Sequence, residues 1–104
     1  WYNLVPLMEK HGVQLVLLGH NHFYERMIPL KENLPSTYEK GAVTYIVTGS
    51  AGRGLYDIMP WEFQAVGISD YNFVVGDVSY CELAIEVFNG EGALLDALTI
   101  PRCF

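Results

Sequence analysis

The feature that most constrains the fold is the run Val13-Gln14-Leu15-Val16-Leu17-Leu18, which stops abruptly at Gly19-His20-Asn21-His22. A short, nearly continuous apolar run suits a strand covered on both faces, as in an α/β sheet. Ahead of it, Leu4, Leu7, Met8 and His11 recur at helical spacing, so Trp1 to His11 predicts a short amphipathic helix. Gly12 stands where a helix C′ residue is expected. Helix, glycine and buried strand make half of a βαβ unit that lacks its first strand. The chain also starts at Trp1, without Met and inside that helix. It therefore reads as a fragment whose beginning is missing, and any targeting segment would lie in the missing part.

Past the histidines, the polar and charged stretch Lys31 to Gly41 predicts a surface loop, and Val43 to Thr48 a β-branched strand. That strand runs into the glycine-rich Gly49-Ser50-Ala51-Gly52-Arg53-Gly54. Leu55 to Phe73 has no clear period and reads as a long, partly packed loop. The end is a hairpin. In Glu82 to Phe88, Leu83, Ile85 and Val87 alternate with Glu82, Ala84 and Glu86, and Asn89-Gly90-Glu91-Gly92 is a strong turn signal. Ala93 to Ile100 returns with Leu94, Leu98 and Ile100 expected on one face. The whole chain, 1–104, reads as one unit of class α/β, and an open one.

Composition limits the partners. The formal charge is -6 with no Lys/Arg cluster, which argues against binding a nucleic-acid backbone. The apolar run before Gly19 falls far short of the ~20 residues needed to span a bilayer. An acidic surface repels phosphorylated substrates at long range, so a phosphate bound here would need metal ions for local positive charge. Cys81 and Cys103 form no metal motif. A small buried thiol is the expectation for Cys81 in its strand-like run. A Cys81–Cys103 bridge is left open, and two cysteines do not define a compartment.

The chemistry concentrates in His20 and His22. In extended backbone, residues i and i+2 point to one side roughly 7 Å apart. Two imidazoles so placed can grip one cation, or one each of two cations ~3.5–4 Å apart. The position suits a site, because ligands of α/β sheets gather beyond the carboxyl ends of strands. Gly19 is expected to let the backbone turn sharply there. A solvent-facing His pair is the bland alternative. Glu25 could orient a ligating imidazole, against a surface Glu25–Arg26 pair worth little. Arg53 could reach a phosphate, against a plain glycine-rich turn, since neither a P-loop nor a dinucleotide fingerprint is present. His11 reads as a dipole partner at the helix end or a packed side chain. Tyr56, Trp61 and Phe63 could wall a cleft or simply pack in a loop.

The block Leu15-Val16-Leu17-Leu18-Gly19-His20-Asn21-His22-Phe23-Tyr24-Glu25-Arg26 resembles the last signature of the calcineurin-like metallophosphoesterases. Its Tyr-Glu-Arg tail is similar to the purple acid phosphatase branch. Tyr45-Ile46-Val47-Thr48-Gly49 and the closing hairpin extend the resemblance over most of the chain. It implies the C-terminal part of a two-sheet α/β sandwich with helices outside. It also implies a dinuclear centre of iron with zinc, manganese or a second iron, in which His20 would bind the divalent metal and His22 the neighbouring, often ferric, ion. Asn21, Glu25 and Arg53 would then lie around that centre or face the substrate, a small phosphate ester or a phosphoprotein. An exported parent fits the same relatives.

The departure from the family pattern is equally plain. The upstream Asp, Gly-Asp-x-x-Tyr, Gly-Asn-His and further His are absent. Gly76-Asp77-Val78-Ser79-Tyr80 spells one of them, but it comes after the His pair and reads as coincidence. Two histidines cannot complete even one tetrahedral site. The contrasting reading is a non-catalytic module with a vestigial His pair or a single structural metal.

Overall fold

A computed structural model of the chain describes residues 4–19, 22–49 and 61–104. The first helix, α1, spans Leu4–Lys10 and ends as its sequence predicts. Gly12 adopts φ 73°, and the chain closes a Schellman motif: the amide of Val13 donates to the Met8 carbonyl at 2.9 Å and that of Gly12 to Glu9 at 3.3 Å. The amphipathic expectation fails in one respect. No residue of α1 is buried, and Leu4 and Leu7 are each 50% exposed, because the described residues place nothing over their side of the helix.

Four strands make a mixed sheet in the order β1-β5-β2-β6. They are β1 (Leu15–Leu18), β2 (Tyr24–Met27), β5 (Thr44–Thr48) and β6 (Gln64–Ile68). β1 and β5 run parallel, Leu15 opposite Thr44 through Leu18 opposite Val47, as the βα pattern predicts. Among the described residues β1 is an edge strand, and Leu17 on one of its faces is 54% exposed, so the expectation that both faces are covered does not hold. β5 sits inside the sheet, and its first four residues are all buried.

Two predicted loops contain strands. Within 31–41, β3 (Leu30–Lys31) and β4 (Leu34–Pro35) pair in a small hairpin. Its two central residues, Glu32 and Asn33, both have positive φ, 54° and 64°. That turn matches strand twist, and the Glu9 carboxylate of α1 accepts the Glu32 amide at 3.0 Å. β6 lies in the stretch Leu55 to Phe73, read as a long, partly packed loop. Its alternation is hidden because the outward positions are Ala65 and Gly67, not charged residues.

A second, antiparallel sheet has the order β7-β8-β9, with β7 at Asn72–Val78, β8 at Glu82–Asn89 and β9 at Leu94–Pro101. The predicted closing hairpin is β8–β9. Its turn is held by the Asn89 side chain, whose Oδ1 accepts the amides of Glu91 at 3.0 Å and Ala93 at 2.9 Å. A bulge between Val87 and Phe88 sets Val87 opposite Asp96 and Phe88 opposite Leu94. Leu94 therefore shares the outer face with Phe88, whereas Leu98 and Ile100 turn inward; the expectation that all three share one face is corrected by that extra residue.

The two sheets pack face to face around Tyr24, Ile46, Ile85, Val87 and Ile100, with Leu15, Val66, Ile68, Val74 and Leu98 at the margin. One polar cluster crosses this interface. The Tyr24 hydroxyl donates to Asp96 Oδ2 at 2.6 Å. Arg26 grips the same carboxylate with Nε at 2.7 Å and Nη2 at 3.2 Å. The side chains of Arg26 and Asp96 are only 16% and 8% exposed. Burial alone would raise the Asp96 pKa, but hydrogen bonds from Arg26 and Tyr24 outweigh it and hold the carboxyl below its ordinary value of 3.8. Burial, reinforced by the Asp96 hydrogen bond, pushes the Tyr24 phenol up.

The cysteines also depart from expectation. Cys81 is exposed and forms a disulfide with Cys103. It is no buried thiol, because it precedes β8 at the rim of the second sheet.

Removing one partner of a buried, hydrogen-bonded pair leaves the other charge without compensation, so Asp96→Ala should cost about 3 kcal/mol in urea denaturation. Because the folded pKa is depressed, the ion pair contributes stability above the ordinary aspartate value, and that contribution fades as pH falls through the folded value. Asp96→Ala should therefore flatten the acid limb of the stability profile below about pH 4. A variant as stable as the parent, with the same acid limb, would refute this role.

Candidate functional site

Of the paired histidines, the described one, His22, stands at one end of the mixed sheet. The connection from β1 to β2 leaves the carboxyl end of β1, beside the carboxyl end of the parallel β5. His22 lies in this connection and is partly buried. The amide of Gly49 donates to the Phe23 carbonyl at 3.5 Å, which sets the start of the glycine-rich segment beside the histidine loop. Gly19 is not in the left-handed region, and a Cβ there would meet nothing within 4 Å. Its predicted role as a sharp turn is thus not required sterically. His20, Asn21, Arg53 and Tyr56 lie outside the described residues. Among the described residues, no three His, Cys, Asp or Glu side chains converge on a common point. The donor set at hand does not fit a complete metal centre.

The Tyr-Glu-Arg tail is divided by strand geometry. Residues i and i+2 share a face, so Tyr24 and Arg26 point into the sandwich and Glu25 points the other way. The two candidate partners of a surface Glu25–Arg26 pair therefore stand on opposite faces of the sheet. Glu25 is instead 7% exposed. Its Oε2 accepts the indole N–H of Trp61 at 3.0 Å and the amide of Gln64 at 2.7 Å. Gly67 lies directly opposite Glu25 on β6. A Cβ on Gly67 would lie 2.5 Å from Gln64 Nε2, so the absence of a side chain there admits the amide that reaches Glu25.

On that same face a cavity of about 190 Å³ is lined by Val5, Leu18, Met27, Leu30, Asn33, Tyr45 and Trp61. Trp61 also meets Phe63 edge-on, with ring centroids 5.4 Å apart. Among the described residues the lining is mostly apolar and holds no charged group. Asp77 of the Gly-Asp-x-x-Tyr look-alike sits on the outer face of the antiparallel sheet, opposite Ala84. It belongs to a strand of the other sheet, as expected of a coincidental motif. His11 is exposed and so is not a packed side chain.

Trp61, singled out in sequence as a possible cleft wall, does line the cavity, but its bond to Glu25 was not foreseen, and Asp96 and Gln64 were missed. Asp96 had a signal: it falls on the inward parity of Leu98 and Ile100, a lone carboxylate on an apolar face. The contacts of Trp61 and Gln64 to Glu25 had none, since they depend on how β6 pairs with β2. Gly67→Ala should push the Gln64 amide off Glu25 and cost about 1–2 kcal/mol. In a Gln64→Ala background that cost should largely vanish, as a double-mutant cycle of thermal or urea unfolding would read. Additive effects would show that Gly67 has another reason to be glycine.

Comparison with known proteins agrees with this geometry. No protein-family model matches the chain. It is 33% identical to acid phosphatase type 7 of Homo sapiens over 84 residues, covering 69% of the chain and 19% of that protein. It is 27% identical to a probable inactive purple acid phosphatase 1 of Arabidopsis thaliana, covering 96% of the chain and 18% of that protein. The chain thus spans about a fifth of the length of the curated relatives it matches. The purple acid phosphatase PPD1 from yellow lupin (Lupinus luteus) superposes over 97% of the chain, and 20% of its own, with a TM-score of 0.86 and 25% identity. With its mixed sheet, its closing antiparallel hairpin and these relatives, the chain belongs to the purple acid phosphatase-like family and corresponds to its C-terminal portion.

Proposed function

We propose that this chain supplies the Gly19-His20-Asn21-His22 loop of a dinuclear phosphoesterase centre whose other ligands come from outside these 104 residues. The observation that carries the reading is the place of His22: in the connection beyond the carboxyl ends of two parallel strands, next to the start of the glycine-rich segment. His20 and His22 would give one imidazole to each of two cations, iron with zinc, manganese or a second iron. Such a pair activates a water and neutralises charge building on the phosphoryl group. The work of the described residues is positional: β1 delivers the loop, and β2 anchors its far side through Tyr24, Glu25 and Arg26. Asn21 and Arg53 are the candidates to face a substrate, a small phosphate ester or a phosphoprotein.

A non-catalytic module is the second reading. It is favoured by the relative named as probably inactive and by the lack of a converging ligand set among the described residues. The exposed disulfide supports residence in an oxidising, extracytoplasmic compartment. Among the described residues, no helix is long and apolar enough to cross a membrane.

The rest of the domain would cover Leu4 and Leu7 of α1 and Leu17 at the free edge of β1. The isolated chain should accordingly self-associate in light scattering; a clean monomer would count against this fragment reading. Metal content by inductively coupled plasma mass spectrometry, after manganese or zinc loading, tests the site itself. The chain alone should hold little metal. A longer polypeptide carrying the upstream part should hold about two ions and hydrolyse p-nitrophenyl phosphate, and His20→Ala/His22→Ala should abolish both. Metal bound without hydrolysis would favour the module. Hydrolysis that survives the double substitution would rule out the proposed loop.

A further inference from the structure

The carboxyl end of the chain is tied down at three points, and only one of them is covalent. The β8–β9 ladder ends at the Glu82–Pro101 pair. Just beyond it, Cys81 and Cys103 are bridged, with Cα atoms 4.9 Å apart. The amide of Arg102 donates to the Cys81 carbonyl at 2.7 Å. The guanidinium of Arg102 donates to the Ser79 carbonyl in the β7–β8 turn. Cys81, Arg102 and Cys103 are all exposed, so the two hydrogen bonds compete directly with water. The disulfide is the covalent tie of the segment.

This tie reaches the other sheet. The Pro101 carbonyl accepts the side-chain amide of Gln14. Gln14 immediately precedes β1, and its own carbonyl accepts the Thr44 amide at 2.9 Å where β5 begins. Held Pro101 therefore holds the starts of the two parallel strands. The two-sheet core has support beyond this contact. Ile100 of the buried cluster pairs with Leu83 beside the bridge, but Tyr24, Ile46, Ile85 and Val87 and the Tyr24–Arg26–Asp96 network lie farther along the ladders.

We infer that the Cys81–Cys103 bridge is a redox-operated latch: closed, it holds Gln14 and the start of β1 through Pro101; open, it frees that corner while the core persists. Opening needs a dithiol, and the exposure of both cysteines gives one access. A thiolate of the dithiol attacks one sulfur and forms a mixed disulfide, releasing the other cysteine as a thiolate. The dithiol's second thiolate then displaces the remaining cysteine. Two electrons pass to the protein, the dithiol becomes its own disulfide, and protons from the dithiol leave Cys81 and Cys103 as thiols. An exposed bridge at the end of a ladder is suited to such exchange, whereas one buried in the core would be shielded from it.

Hydrogen exchange by mass spectrometry on this chain, oxidised and after dithiothreitol, tests the latch. Reduction should raise exchange several-fold in 79–82, 101–104 and 13–16, and leave Ile46 and Ile85 protected. Cys81→Ser/Cys103→Ser should reproduce that pattern without reductant, and Gln14→Ala should loosen 13–16 while the bridge stays intact. Unchanged exchange at 13–16 on reduction would overturn the coupling. Loss of protection throughout the core would make the bridge a folding staple instead of a latch. Alkylation of both cysteines in the untreated protein would show that no bridge exists.

Discussion

The Asp96 carboxylate, held by Tyr24 and Arg26, is the interaction on which the sandwich's order depends. Apolar contacts between two sheets favour contact without dictating one alignment, because burial is non-directional. A two-pronged guanidinium and a phenol meeting one carboxylate are directional. They require β2 of the mixed sheet to face β9 of the antiparallel sheet at one register. The bulge at Val87 and Phe88 makes that register possible, since it turns Asp96 inward and Leu94 outward.

That constraint extends to the candidate site. Once Tyr24 and Arg26 are committed to the sandwich, the alternation of β2 sends Glu25 to the opposite face, where it binds Trp61 and Gln64. β2, which starts two residues after His22, is thereby fixed on both faces. The connection that carries His22 runs between this doubly anchored strand and β1, which among the described residues is paired on one side only. This asymmetry agrees with a chain that spans about a fifth of its relatives' length.

Stability and chemistry are separated in space. The buried apolar cluster, the ion pair and the turn held by Asn89 lie in the sandwich and the antiparallel sheet. His22 lies beyond the strand ends of the mixed sheet. Such a division lets the scaffold carry a site whose ligands contribute little to folding.

Much was legible in the sequence because it is local. The Gly12 helix stop, the apolar run of β1, the β-branched run of β5 and the closing hairpin each follow from the preferences of a few neighbouring residues. The Gly19-His20-Asn21-His22 block stands out for the same reason, as a compact pattern after an apolar run. What tertiary structure alone decided is everything that depends on pairing between distant segments. That β1 is an edge and β5 is not, that Glu25 serves Trp61 and not Arg26, that Asp96 closes the sandwich, and that Cys81 finds Cys103 all follow from register. Register is set by which strands meet, and no window of neighbouring residues contains that information.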